Sequence, residues 1–448
     1  MTALLVTTAC AADDSWTALA PAPPVVGNPL SGWVPFAPEP GDPWEPADPE
    51  FPATMEWFYL PVAAVVTGEG EYDWTALEAR LEDVASRGRQ SVLRLYLDYP
   101  GLPTGVPDHL LGEGGIDQSR RYTQHGNDGI SFSPDYDDPR VVALLTDLVT
   151  ALGAEYDGDA RLGFVTSGLV GFWGEQHTWP LDGEAGTEDW MPSEATEEEL
   201  FAAWDAAFDT TPVLARYPSA TTAPYAVGFH DDSFAYETLP TEPWHFVSLL
   251  EETGLTDRWL TQPIGGELYP ALQTCAFSSP LDCPDMAGEP VEDVAAAIEA
   301  THVSWLVNDR AYTEGYTGAD RERALAAGAA MGEDLTAVAV RFVAHDDGVD
   351  VTVRLTNRGV APFSADWAGE LALLDDDGDV LASVPAEGLD LRGLAPGEEQ
   401  EVRGTLPLPG DGEHLALHVP NPMPGGAPLR LANAGQDAHA FGYLTLEP

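Results

Sequence analysis

Leu169-Val170-Gly171-Phe172-Trp173-Gly174-Glu175 is the stretch on which the reading of the whole chain turns. It is uncharged until its last residue and shows no polar alternation, so both faces of the strand it predicts are buried, as in a parallel sheet between helices. In such sheets the side chains that do chemistry stand at the carboxyl ends of the strands. Glu175 is therefore predicted to project from one such end.

Outward from this stretch, apolar runs of strand length alternate with amphipathic segments. Strands are predicted at 55–66, 91–98, 162–175, 211–216, 226–232, 259–267 and 303–308. Helices are predicted at 74–87, 138–156, 194–208, 244–252, 291–300 and 320–331, the second with Val141, Leu145, Leu148 and Leu152 on one face. Seven strands are plain. An eighth is expected to be irregular or hidden in the Gly-rich excursion between Pro100 and Pro134. The alternation favours an α/β fold, a (β/α)8 TIM-type barrel over 51–332, above an open doubly wound sheet. After Gly332 the apolar period falls to two, as in Val349-Asp-Val-Thr-Val-Arg-Leu-Thr-Asn357, and 333–448 is predicted to be an Ig-like β-sandwich. The Asp375–Asp379 run has neither the loop length nor the distal Glu of an EF-hand and reads as a hairpin turn.

Composition excludes several chemistries. Nineteen basic residues face 75 acidic ones, a net charge of −56 over 448 residues. Such a surface repels nucleic acid and anionic lipid, and its even spread fits adaptation to salt. All nineteen basic residues are arginine, so Schiff-base, pyridoxal-phosphate and lysine-dependent phosphate chemistry are ruled out. Residues 1–50 read as a signal or lipoprotein remnant and flexible tether. The apolar run before Cys10 predicts a lipid anchor there, is too short for a transmembrane helix, and implies export to the cell envelope or beyond. Cys275 and Cys283 enclose a loop short enough for a disulfide.

Applied along the chain, the carboxyl-end rule gathers Arg94, Asp98, Glu175, His177, Arg216, His230, Asp231, Asp232, Glu267 and Asn308. Trp57, Tyr96, Trp173, Trp179, Tyr269 and Trp305 lie beside them. Carboxylates with flat apolar faces suit a sugar, whose C–H face stacks on aromatic rings while its hydroxyls take paired hydrogen bonds. Cleaving a glycosidic bond needs two carboxyl groups. Glu175, beside Trp173 in a dry setting, is expected to be the proton donor. Glu267 is expected to be the nucleophile, kept ionised by Arg94 or Arg216, with Gly265 and Gly266 letting a sugar ring approach the backbone. Arg94, Asp98, Trp173, His177, Trp179, Arg216, His230, Asp231, Asp232, Tyr269, Trp305 and Asn308 are expected to contact the substrate. A metal held by Glu175, His177, His230, Asp231 and Asp232 competes weakly, since no H-x-H or H-E-x-x-H pairing occurs. No G-x-S-x-G elbow is present, and no cofactor is expected.

The stretch 168–179, with Phe229-His230-Asp231-Asp232 and Gly265-Gly266-Glu267, resembles the signature of a bacterial family of unknown function, the one numbered 4832, grouped with the TIM-barrel glycoside hydrolases. The resemblance runs from about Met55 to the C-terminus. It implies an exported protein with a terminal β-sandwich, an acid/base Glu after strand four and a nucleophile Glu after strand seven, the places Glu175 and Glu267 match. Gln176 stands where the motif usually has Trp, and Gly174 where many barrel hydrolases have Asn. The leading expectation is an exported retaining glycoside hydrolase; a glycan-binding surface protein without turnover is the alternative, and metal-assisted hydrolysis the third.

Overall fold

The computed structural model describes residues 15–183, 186–286 and 288–447. Eight parallel strands form its first layer: β1 (Gly32–Val34), β2 (Met55–Pro61), β3 (Gln90–Asp98), β4 (Leu162–Thr166), β5 (Val213–Ala215), β6 (Gly228–Phe234), β7 (Ile264–Leu268) and β8 (Trp305–Val307). Each pairs with the next, and β8 returns to β1 through Trp305↔Gly32, Leu306↔Trp33 and Val307↔Val34. The seam between β1 and β2 is carried by a parallel bridge, Phe36↔Trp57, where the Ala37 amide donates to the Trp57 carbonyl at 2.7 Å. The strands thus make a nearly closed (β/α)8 barrel.

The eighth strand is not in the 100–134 excursion, which contains only short 3-10 turns among its described elements. It is β1, inside the segment expected to be a flexible tether. Three residues among prolines give no periodicity to read. What orders them is tertiary: β8 supplies the backbone partners, and the Trp33 indole is buried and donates to the Ala324 carbonyl at 2.6 Å. Thr17–Ala18 is likewise drawn into a sheet, against Val340 and Ala339. Cys10, the proposed lipid anchor, lies outside the described residues.

Helices cover the barrel's outer face, including Thr75–Ser86, Pro139–Tyr156, Glu194–Ala207, Phe246–Thr253, Val294–Thr301 and Gly318–Ala329. The second begins on Asp138, whose carboxylate accepts from the Arg140 amide, with Pro139 in the first turn. Its predicted stripe is fully buried: Val141, Leu145, Leu148 and Leu152 are all 0% exposed. No helix among the described residues is long and apolar enough to cross a membrane. Cys275 and Cys283 are joined in a disulfide.

Inside the barrel, alternate residues of each strand share a face. Met55, Val92, Phe164, Leu214 and Trp305 pack together as the lower filling. Gly265 belongs to this filling, and its expected role in admitting a sugar is not what the packing gives. A Cβ there would stand 2.3 Å from the Trp305 ring, so the glycine makes room for an indole of the protein itself. Gly266 is similarly closed by the Asp231 carbonyl. Gly265→Ala is expected to lower stability by about 1–3 kcal/mol through overpacking, read as a shift in urea midpoint with an unchanged slope.

The same apolar cluster continues out of the barrel into two four-stranded antiparallel sheets. One holds Thr17–Ala18, β9 (Leu335–His345), β10 (Gly348–Asn357) and β13 (Glu399–Leu406). The other holds β11 (Glu370–Asp375), β12 (Val380–Pro385), β14 (Glu413–His418) and β15 (Tyr443–Thr445). The Asp375–Asp379 turn joins the antiparallel pair β11 and β12, as its hairpin reading expected.

Candidate active site

The strand count sets the site's address. With β1 in place, the opening stretch follows the fourth strand and Glu267 lies on the seventh. Strand four is broken: after β4, Gly168 turns at φ 50°, and Leu169–Phe172 resumes pairing with β3 at Tyr96 and Asp98. The chain then folds back, the Gln176 amide donating to Val170 and Phe172 to His177, both through backbone carbonyls. Leu169, Trp173 and Gln176 all adopt positive φ (67°, 54° and 54°), so this turn is a strained one held by its surroundings. Glu175 is at its tip.

Above the apolar filling the inward positions become polar, and they converge on Arg94. Its guanidinium is 1% exposed; Nε donates to Thr166 Oγ1 at 3.0 Å, Nη1 to Glu175 at 3.2 Å and Nη2 to Asp232 at 3.2 Å. Its cationic face lies 4.6 Å from the Trp57 ring. Asp232 is shared with Arg216, whose Nε is 3.3 Å away, and with His230 Nδ1 at 2.8 Å. Burial alone would raise the Asp232 carboxyl, but the two guanidinium groups outweigh it and hold it ionised. Burial likewise keeps the His230 ring neutral against the pull of Asp232.

Glu267 has a different environment from the one expected. Among the described residues it pairs with neither Arg94 nor Arg216, and its side chain accepts one hydrogen bond, from Gln273 Nε2 at 3.3 Å. Burial, then the charges of Asp232 and Glu175, push its carboxyl well above the usual range. The arginine instead sits on Glu175, whose other oxygen is 3.4 Å from His177 Nε2. The ion pair with an arginine expected for Glu267 is thus found on Glu175 instead, and Glu267 is the carboxyl that burial raises. Tyr59 lies 5.7 Å from the Arg94 guanidinium that holds Glu175, and its ring is 5.5 Å from that of Tyr99, which in turn is 6.5 Å from Trp173.

The remaining sequence candidates separate. Trp173 and His177 are half-buried at this mouth, their rings 5.8 Å apart. Trp179 is 58% exposed at the rim, and its carbonyl meets His125 Nε2 at 2.8 Å. Asp231 turns away from Arg94; it accepts from Thr238 Oγ1 at 2.6 Å, stands 3.5 Å from Arg216, and is pushed up to about 6 by burial. Three candidates, Trp305, Asn308 and Asp98, are buried out of a substrate's reach. Trp305 is fully buried in the barrel filling. Asn308, also fully buried, is tied to Tyr316 and the Ala311 amide. Tyr269 stacks on Tyr236 at 4.5 Å. Asp98 is fully buried and anchors the excursion, accepting from Tyr122 Oη at 2.7 Å and Ser131 Oγ at 2.6 Å. Among the described residues no three His, Cys, Asp or Glu side chains are grouped as a metal would require. Positions near Asp232 that a cation would take are filled by guanidinium groups.

Asp98 gives a pH prediction. Burial pushes its carboxyl up to about 6, so the stability it confers is present below the unfolded value near 3.8 and lost as pH rises through 6. Asp98→Asn keeps the acceptor for Tyr122 and Ser131. Relative to wild type it is expected to gain on the order of 3 kcal/mol between pH 4 and pH 8, measured as the difference between urea unfolding curves.

Sequence reasoning missed Tyr59 and Tyr99, and saw Gln176 only as a departure from the motif. Tyr59 was open to inference, being two residues beyond Trp57 on the same strand face. Gln176 accepts from the Arg216 amide at 2.6 Å and from Ser167 Oγ at 3.1 Å, so it fastens the Glu175 turn to strand five. Only the fold brings these together.

No protein-family model matches the chain. Nor does any curated protein. Among solved structures it is similar to a glucosidase from Croceicoccus marinus, at 11% identity and TM-score 0.34 over 89% of this chain and 97% of that one. It is also similar to the endoglucanase Cel5A of Pseudomonas stutzeri, at 10% identity and TM-score 0.35 over 63% and 88%. An α-amylase from Geobacillus thermoleovorans is similar at 12% identity and TM-score 0.32 over 78% and 88%. Likenesses this distant carry no argument about chemistry.

Proposed function

We propose that this protein is a retaining glycoside hydrolase in which Glu267 donates the proton and Glu175 is the nucleophile. One observation carries the reading: of the two carboxyls that follow strands four and seven, Glu175 is ion-paired with Arg94 at 3.2 Å while Glu267 has no arginine partner and is raised by burial. Glu267 would protonate the glycosidic oxygen as its bond to the anomeric carbon breaks. Glu175 would attack that carbon and form a glycosyl ester. Glu267, now a carboxylate, would take a proton from water as the water displaces Glu175, restoring both groups. Arg94 has Asp232 to hold it when the Glu175 charge is consumed. Tyr59, Tyr99 and Trp173 offer apolar faces and hydroxyls for the ring.

Membership of the family numbered 4832, export, a lipid anchor at Cys10 and an accessory role for a C-terminal Ig-like sandwich belong to the same proposal. The second reading, glycan binding without turnover, is favoured by one feature: both Glu175 oxygens are already engaged, by Arg94 and His177. A panel of aryl glycosides assayed at low and high salt separates the two. Release of phenol from at least one, with the first-formed sugar keeping the substrate's anomeric configuration by NMR, is the expected result. Saturable glycan binding with no product from any member would support the second reading instead.

A further inference from the structure

Among the described residues one side chain donates to Glu267, and it is itself fixed at every polar atom. Gln273 follows the short 3-10 turn Pro270–Leu272 after β7 and is 5% exposed. Its backbone N–H reaches the Pro270 carbonyl at 3.3 Å, and its own carbonyl accepts from Tyr316 Oη at 2.6 Å. The side chain spans two strand ends. Oε1 accepts from the Arg310 backbone amide, just after β8, at 3.1 Å. Nε2 donates to the Leu268 carbonyl at 2.9 Å and to Glu267 Oε1 at 3.3 Å.

These partners decide which end of the Gln273 amide is which. A backbone N–H can only donate and a backbone carbonyl can only accept. A flipped amide would set N–H against N–H at Arg310 and oxygen against oxygen at Leu268. The NH2 group therefore faces Glu267, and Glu267 Oε1 must accept from it whatever the charge of the carboxyl. A protonated carboxyl has one oxygen that carries the hydrogen and one that accepts well. With Oε1 taken as the acceptor, the hydrogen is left to Oε2. Burial raises this carboxyl, which favours the form in which that choice matters.

We propose that Gln273 is a positioning residue for Glu267: its amide reserves Oε1 as an acceptor and leaves the transferable proton on Oε2. That this proton serves a leaving group rests on the hydrolase reading. Where it sits does not, and it can be measured without substrate, so an inactive protein would leave the assignment standing.

Neutron diffraction from deuterium-exchanged crystals of the intact protein at about pH 5 locates the proton directly. Deuterium on Glu267 Oε2, with an N–D of Gln273 directed at Oε1, is the expected result. Deuterium on Oε1, or on neither oxygen, would overturn it. Carboxyl carbon-13 NMR with labelled glutamate, the Glu267 signal assigned by its loss in Glu267→Gln, tests the amide's part. Gln273→Met keeps the length of the side chain and removes the donor to the Glu267 anion, so the Glu267 titration is expected to move up by roughly one pH unit. Tyr316→Phe frees the Gln273 backbone carbonyl but leaves the amide in place, so it should lower the urea midpoint without moving that titration. Equal movement in both variants, or none in Gln273→Met, would overturn the positioning role and reduce Gln273 to packing.

Discussion

Replacing Asp232 with alanine is expected to destabilise the fold by roughly 3–5 kcal/mol, the largest single-residue effect on stability outside the apolar core. Asp232 is the only carboxylate shared by Arg94 and Arg216 among the described residues, and their side chains are 1% and 8% exposed. Arginine cannot shed its proton to escape burial. Without Asp232, Arg94 keeps Glu175 and Arg216 keeps Asp231 at 3.5 Å, while His230 loses the carboxylate 2.8 Å from its Nδ1. Asp232→Asn should lose less, because the amide oxygen still accepts from one guanidinium although the charge is gone. The measurement is equilibrium urea unfolding of wild type and both variants at pH 7. A loss below about 1 kcal/mol for Asp232→Ala, the size of an exposed ion pair, would show that the two arginines do not depend on it.

The second large effect is on turnover. Glu175→Gln and Glu267→Gln are each expected to lower kcat/KM on an accepted glycoside by about 10²–10⁴-fold, with both variants still folded. The two should differ in kind. Without Glu267 the leaving oxygen has no proton donor, so the loss should be severe for poor leaving groups and slight for dinitrophenolate. Without Glu175 no ester forms, so the loss should be the same for every leaving group. The charge arrangement also gives the sign of the pH profile. Activity needs the protonated form of Glu267, whose carboxyl is held well above the usual range by burial and by its anionic neighbours. The alkaline limb should therefore lie beyond the ordinary carboxylate range, and activity should fall as pH rises through it. Glu267→Gln should remove that limb for substrates that need no acid.

What could be read from sequence, and what could not, follows from where each signal resides. The barrel was legible because parallel strands buried on both faces leave near-continuous apolar runs, as in Val92–Leu97, broken only by Arg94, within a strand whose every residue is buried. β1 was not, because Gly-Trp-Val is ordered by β8 and by its own indole's burial rather than by any pattern of its own. The site's members were legible from one rule, the carboxyl ends of strands, which found Arg94, Glu175, Arg216, Asp232 and Glu267 together. The rule cannot say which way a side chain points. It therefore also gathered Trp305 and Asn308, which are fully buried, and Asp98, which ties down the excursion. Nor can it say which carboxyl an arginine will choose. That depended on the return turn at 173–176, whose positive φ angles bring Glu175 back over Arg94.

Trapping the reaction with a panel of dinitrophenyl 2-deoxy-2-fluoroglycosides, followed by peptide mass mapping, tests the central claim most directly. A fluorosugar ester on Glu175, absent in Glu175→Gln, is the result the charge arrangement predicts. An ester on Glu267 instead would contradict it, showing that the ion pair with Arg94 does not mark the nucleophile.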